Sequence, residues 1–313
     1  MSAIFHQLSS GVTVIERGWL NCNQLVLRSA DWNVLIDSGY GRHADATIKQ
    51  VAAALDHAPL HWLINTHCHS DHMGGNRAVR AHYDCRVTIP AGEVKHVVPW
   101  TAQSCWSGEM DQYAEEFEFD DTITEGDSFN AGGLRWDAHA APGHDMDALM
   151  FYAKEPGILV TGDALWERGL GFVWPEKKHA TDPNPHIHAA LGALDWIEQL
   201  APKIVVPGHG APFSDVAKSL ADARSKLAAF ENDPVKNARH AAKSLFVFAL
   251  LDKGEMKAVD VPAYFDAVPV YQRFREQFLG GTSEELALRM VSELVAAGAV
   301  KVDDGVVTPT MRA

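Results

Sequence analysis

The stretch Asn65-Thr66-His67-Cys68-His69-Ser70-Asp71-His72 constrains this chain more than any other. Three imidazoles and a carboxylate fall within six residues, directly after the apolar run Trp62-Leu63-Ile64. On a helix, His67 and His69 would point to different faces. A strand that ends in a loop can instead aim several of these side chains at one point. Imidazole nitrogen and carboxylate oxygen are the donors that suit zinc and its first-row neighbours. The fold must therefore bring a strand end, and partners from elsewhere, to a common edge.

Three such partners follow downstream in similar settings. His144 closes Trp136-Asp137-Ala138-His139-Ala140-Ala141-Pro142-Gly143, Asp163 closes Ile158-Leu159-Val160-Thr161-Gly162, and His209 closes Ile204-Val205-Val206-Pro207-Gly208. Each is an apolar, strand-like run, then a glycine, then a ligand-type residue. Glycine allows a sharp backbone turn and a close approach. Four strand ends on one edge are what a site between two sheets needs.

His-x-His-x-Asp-His, followed at long spacing by His, Asp and His in these contexts, resembles the metallo-β-lactamase superfamily. Met73-Gly74-Gly75-Asn76 is most similar to its glyoxalase II and lactonase-like branches, and the resemblance covers residues 10 to 215. It implies an α/β fold, an αββα sandwich, here with a mostly helical C-terminal domain. It implies two divalent metal ions, expected to be zinc with iron or manganese as alternatives. His67, His69 and His144 would hold the first; Asp71, His72 and His209 the second; Asp163 would bridge them. Asp71 would also orient the attacking water and carry its proton. The turn Asp37-Ser38-Gly39 is expected to support the metal loop through hydrogen bonds.

Read in order, Val12 to Ile15, Gln24 to Leu27 and Asn33 to Ile36 are strands, and residues 43 to 56 a helix with Ile48, Val51, Ala52 and Leu55 on one face. A helix starting at Gly74-Gly75-Asn76 and a strand over Arg86 to Pro90 follow. The irregular segment 91–120 is the expected substrate cap, with Trp100 and Trp106 as pocket walls. The loop 164–181 offers Trp166, Arg168, Phe172 and Trp174 to the pocket mouth. A helix runs from His186 to Leu200, with His186 and His188 solvated at its start. Ser214 is the expected N-cap of a helix to Phe230.

The pattern then becomes helical, so the chain divides into a catalytic domain, residues 1–230, and a second domain, residues 231–313. Thr282 with Glu285 reads as a capping box. Valine-rich runs flanking Asp303-Asp304-Gly305 read as a hairpin. Helices followed by a hairpin resemble a winged helix. Residues 231–313 hold ten Lys/Arg against twelve Asp/Glu, and the whole chain has a net charge of −14. Neither balance suits nucleic acid or an acidic membrane. A cap or homodimer contact is the role expected of this domain, with a small molecule as the substrate. The negative total does not bar an anionic substrate, because charge beyond about one Debye length (~8 Å) is screened and bound cations dominate locally.

Four cysteines without a CxxC pair fit a reducing cytoplasm, and neither a secretory leader nor a membrane span is expected. Cys68, between two ligands, is expected to point away from the metals. The complete ligand set favours a dinuclear hydrolase of an ester-like bond, thioester or lactone. Phosphodiester or RNA cleavage and a mononuclear-iron persulfide dioxygenase remain open alternatives. A β-lactamase is disfavoured by the aspartate at 163, and an iron oxygen reductase by His69, where that group has a carboxylate. A non-catalytic scaffold would have lost ligands.

Overall fold

The computed structural model describes residues 3–176 and 182–313, apart from the Trp106 side chain. Two sheets face each other. The first holds seven strands in sequence order: β1 (Ile4–Ser9), β2 (Val12–Glu16), β3 (Gln24–Leu27), β4 (Val34–Ile36), β5 (Trp62–Ile64), β6 (Arg86–Pro90) and β7 (Asp121–Ile123). The second holds β8 (Ser128–Ala131), β9 (Leu134–Ala140), β10 (Leu149–Ala153), β11 (Ile158–Gly162) and β12 (Ile204–Pro207), in the order β12-β11-β10-β9-β8.

Alternation along these strands sorts their side chains. Val12, Val14, Leu25, Leu27 and Ile36 meet Trp136, Phe151, Val160 and Val206 in the layer between the sheets. The opposite faces are covered by helices. Ile15, Val26, Leu35, Leu63 and Val87 pack on α1 (Ala44–Ala54) and α3 (Asn76–Tyr83). Met150, Leu159 and Val205 pack under α6 (Pro185–Leu200) and α7 (Val216–Asn232). This is the αββα sandwich. The expected helices and most expected strands are present, while β1, β7 and β10 are additional to the sequence reading.

Two details differ from expectation. Asp71 and His72 lie not on a loop but on a single helical turn, α2 (Ser70–Met73), which immediately follows the extended His69. Asp215, not Ser214, caps α7 by accepting from the Lys218 N–H, because its carboxylate reaches the free amides of the first turn.

Segment 91–120 holds two short helices, α4 (Val94–Val97) and α5 (Ser107–Met110). Beyond it, α7 runs past residue 230 to Asn232, and Asp233 caps the next helix, α8 (Pro234–Lys253). Then come α9 (Val261–Ala267), α10 (Pro269–Phe274) and α11 (Ser283–Ala296). Thr282 and Glu285 form the capping box. The hairpin β14 (Val300–Asp303) and β15 (Val306–Pro309) is joined by β13 (Met256–Lys257) into a three-stranded sheet. The helical region has its own core of Phe246, Leu250, Phe265, Tyr271, Phe274 and Met290. Leu20, Tyr40 and Met110 from the sandwich join it. No helix among the described residues is long and apolar enough to cross a membrane.

Candidate metal centre

Strand direction explains why the ligand-type residues meet. Strands β4, β5 and β6 are parallel neighbours, so Asp37, the Asn65–His69 loop and Glu93 all leave the same edge. In the second sheet β9 and β11 are each antiparallel to β10, and β12 is parallel to β11. The C-terminal ends of β9, β11 and β12 therefore share one edge, and His144, Asp163 and His209 follow them. Bonds between the sheets hold the edges together: Asn23 N–H to the Gly208 carbonyl at 2.6 Å and Leu149 N–H to the Thr66 carbonyl at 2.8 Å.

Seven side chains converge as two groups. His67, His69 and His144 form one; Asp71, His72, Asp163 and His209 form the other. Within each, one donor atom per residue lies within 4.8 Å of the others. Asp163 faces both groups. Its Oδ2 is 3.4 Å from His144 Nε2, while its Oδ1 is 3.4 Å from His72 Nε2 and 3.8 Å from His209 Nε2. Asp71 Oδ2 is 3.1 Å from His209 Nε2 and 3.9 Å from His72 Nε2. A Cβ on residue 208 would lie 2.2 Å from Asp163 Oδ1, so only glycine lets the chain pass there. Gly143 is needed twice over: its φ is +134°, and a Cβ there would lie 2.5 Å from that of Ala190 on α6.

The outward ring nitrogens of His72, His144 and His67 are tied to protein. His72 Nδ1 donates to Asp37 Oδ2 at 2.8 Å, His144 Nδ1 donates to the Phe172 carbonyl at 2.7 Å, and His67 Nδ1 is 3.1 Å from Thr66 Oγ1. Asp37 also accepts from the Thr66 amide and hydroxyl, each at 2.8 Å, so the expected supporting turn is present. Such outer bonds fix the tautomer and leave the inward nitrogen with its lone pair. Among the described residues the inward Nε2 atoms of His67 and His72 are buried with no hydrogen-bond partner; His209 turns its Nε2 toward Asp71 and Asp163. His69 Nδ1 and His144 Nε2 face each other at 2.9 Å. Orphaned buried nitrogens cost stability unless something binds them. Divalent cations of the zinc type fit this all-nitrogen-and-oxygen donor set. Cys22, Asp37 and His72 also come together, but the Asp37 oxygens are already occupied by Thr66 and His72.

Protonation of His67, His69, Asp71 and Asp163 agrees with this fit, whereas at His72 burial is outweighed by Cys22, Asp37, Asp163 and Asp71, which hold the ring well above its ordinary value. Burial, then the neighbouring histidines, pushes His67 well below its ordinary value. Burial, then His144, brings His69 to about 4. Both rings are thus neutral donors at neutral pH. Burial opposes ionisation of Asp163, but His209 and His72 overcome it and hold the carboxyl well below its ordinary value. Asp71 is lowered in the same way, by His72 and the hydrogen bond from His209 acting against burial.

The centre opens into a cleft of about 440 Å³. Trp166 lines it and donates its indole N–H to Asp163 Oδ1 at 3.2 Å. Trp174 does not line it. It packs behind Phe172, between that ring and Phe274, with the Arg273 guanidinium 5.1 Å from its centroid. Trp100 is also elsewhere: it packs edge-on against Phe117, because α4 and its flanks lie over the outer face of the first sheet. The Trp106 side chain lies outside the described residues. From segment 91–120 the cleft receives Met110 and Gln112 instead, the latter accepting from Ser70 Oγ at 2.8 Å. His186 bonds the Gly143 carbonyl and His188 pairs with Glu231, both outside the cleft. Cys68 is buried beneath the loop, facing away, and its amide donates to Glu93.

Trp19 went unnoticed in the sequence. It is 41% exposed and stacks on His209 with ring planes 3° apart. A lone tryptophan after a glycine carries no periodic signal. Also unnoticed was the far wall, a stripe of α8 comprising Lys243, Ser244, Val247, Phe248 and Leu251. Its four- and three-residue spacing reads equally well as ordinary core.

Comparison with known proteins agrees with the geometry. Residues 17–209 match the Metallo-beta-lactamase superfamily. A hydroxyacylglutathione hydrolase of Idiomarina loihiensis is 27% identical over 139 residues, 44% of each chain. One from Brucella anthropi is 27% identical over 158 residues, 49% of this chain and 54% of that one. The chain thus spans about half the length of the curated relatives it matches. Among solved structures, a beta-lactamase domain protein from Burkholderia ambifaria superposes with a TM-score of 0.57 at 21% identity. That alignment covers 98% of this chain and 94% of that one, a likeness of fold that includes the C-terminal region. With more than half of its length matched and the ligand-type residues gathered at one edge of a two-sheet sandwich, this chain belongs to the metallo-β-lactamase superfamily.

Proposed function

We propose that this protein is a metal-dependent hydrolase that cleaves an ester-like bond, thioester or lactone, at a dinuclear centre. The observation that carries the reading is Asp163, whose two carboxylate oxygens face different groups of histidines. In this reading His67, His69 and His144 would hold one ion, Asp71, His72 and His209 would hold the other, and Asp163 would serve both. Two such cations, zinc by the donor set, supply an acidified water near neutral pH and an electrophile for the carbonyl oxygen. The chain's own residues do the rest. Asp71, ionised and lining the cleft, orients the attacking water and takes its proton. The water oxygen bonds to the acyl carbon, the C–S or C–O bond breaks, and the departing thiolate or alkoxide receives that proton. Asp37, Thr66 and the Phe172 carbonyl keep the imidazoles in register. Trp19 and Trp166 shield the His209 side from bulk water.

Support for the thioester branch comes from the hydroxyacylglutathione hydrolases among the relatives. We read residues 231–313 as a winged-helix-like cap closing the cleft, a reading supported by helices that precede a β-hairpin and by the α8 residues in the lining. The test pairs metal analysis with a panel of thioesters, lactones, β-lactams and phosphodiesters. About two equivalents of zinc, with turnover of thioesters or lactones lost in Asp163→Ala by roughly 10²–10³-fold or more, is expected. One equivalent of iron, or full turnover in Asp163→Ala, refutes the assignment.

A further inference from the structure

The charges around the cleft are one-sided. Asp71 and Asp163 face the metal groups; among the described residues every other Asp, Glu, Lys or Arg in the lining is a cation: Arg168, Lys226 and Lys243. This occurs in a chain whose net charge is −14. Arg168 is exposed to solvent; of the two half-buried lysines, Lys226, on α7, is the less compensated. Its ammonium donates to the Leu170 carbonyl at 3.4 Å, and no carboxylate lies within salt-bridge distance of it among the described residues. Burial lowers its pKa to about 8. Lys243 is held by Glu293 at 2.9 Å. Between them, His240 is pushed to about 3 by burial and then by these two ammonium groups, so it is neutral and free of charge competition.

The cation end is tied to the metal centre by three consecutive residues. Leu170 accepts from Lys226, the Gly171 amide donates to the Asp163 carbonyl at 3.0 Å, and the Phe172 carbonyl accepts from His144. The other end of the wall is apolar. Along α8 the lining changes from His240 and Lys243 to Val247, Phe248 and Leu251. At 1.5 Å per residue, Lys243 and Leu251 are about 12 Å apart. Such a wall suits a molecule with an apolar body and one charged end.

We propose that the substrate is an acyl ester or thioester whose apolar chain lies along Val247, Phe248 and Leu251 and whose anionic group meets Lys226 and Lys243. The ester-like bond rests on the hydrolase reading above; the amphipathic anion does not. The test is calorimetric binding of decanedioic acid monoamide, which carries one carboxylate, against the uncharged diamide, on the metal-loaded protein. We expect the monoamide to bind roughly tenfold or more tightly. Lys226→Met should remove most of that preference, Lys243→Met part of it, and Lys226→Arg should keep it, which also shows that the site tolerates replacement. Equal binding of the two probes, or a preference unchanged in both Met variants, overturns the proposal. Selective binding of the monoamide by a protein that cleaves nothing on the ester and thioester panel supports the anion site and sinks the hydrolase reading alone.

Discussion

The cleft has two walls built on opposite principles. One is polar and over-determined. It consists of loops at strand ends, and its imidazoles are held from behind by Asp37, Thr66 and the Phe172 carbonyl. The other is a helix face, and its apolar part is placed by packing of the α8 core beneath it. The difference separates two jobs. Metal chemistry needs donor atoms placed to fractions of an ångström, which hydrogen bonds in a buried setting enforce. Selection of a substrate needs shape and charge, which a helix can change residue by residue without moving the centre.

The largest effect that sharpens this contrast is Leu250→Ala. Leu250 is fully buried in the helical core and is not among the cleft-lining residues of α8. Its truncation should cost about 2–5 kcal/mol in stability, read by denaturant unfolding. Metal content at low temperature should be unchanged; loss of metal would show that the walls are not independent. Next is Asp37→Ala, which should weaken metal affinity by about 10–100-fold, read by competition with a chelator. Retained affinity would mean that the packing around His72 alone positions it.

The smallest effect is His240→Phe. An unfolded histidine takes up a proton near 6.5, whereas burial and the two lysines delay the folded ring until about 3. The folded state therefore binds fewer protons across that interval, and stability falls as pH drops from 6.5 toward 3. Phenylalanine removes this contribution, so the melting temperature should depend less steeply on pH between 6.5 and 4. An unchanged slope would place His240 in contact with water.

The seven ligand-type residues were legible because the motif is local for four of them and repeated in setting for the others. The supporting role of Asp37 was legible only through the family resemblance, which implies such a turn beneath the site. Trp100 and Trp174 were placed in the pocket because aromatic residues in irregular segments suggest a cap. In the structure Trp100 packs edge-on against Phe117, and Trp174 lies between Phe172 and Phe274. Composition cannot tell a ring facing a cleft from one facing another ring.

The sequence by itself determined the donor atoms, the strands that carry them and the capping box of the last helix, since each depends on neighbours a few residues away. Only the tertiary structure decided that α8 forms the second wall, that Lys226 stands there with no carboxylate beside it among the described residues, and that Trp19 covers His209. Those facts depend on which face of one element meets another across long stretches of chain. An amphipathic period reveals that a face is buried and says nothing about what it is buried against.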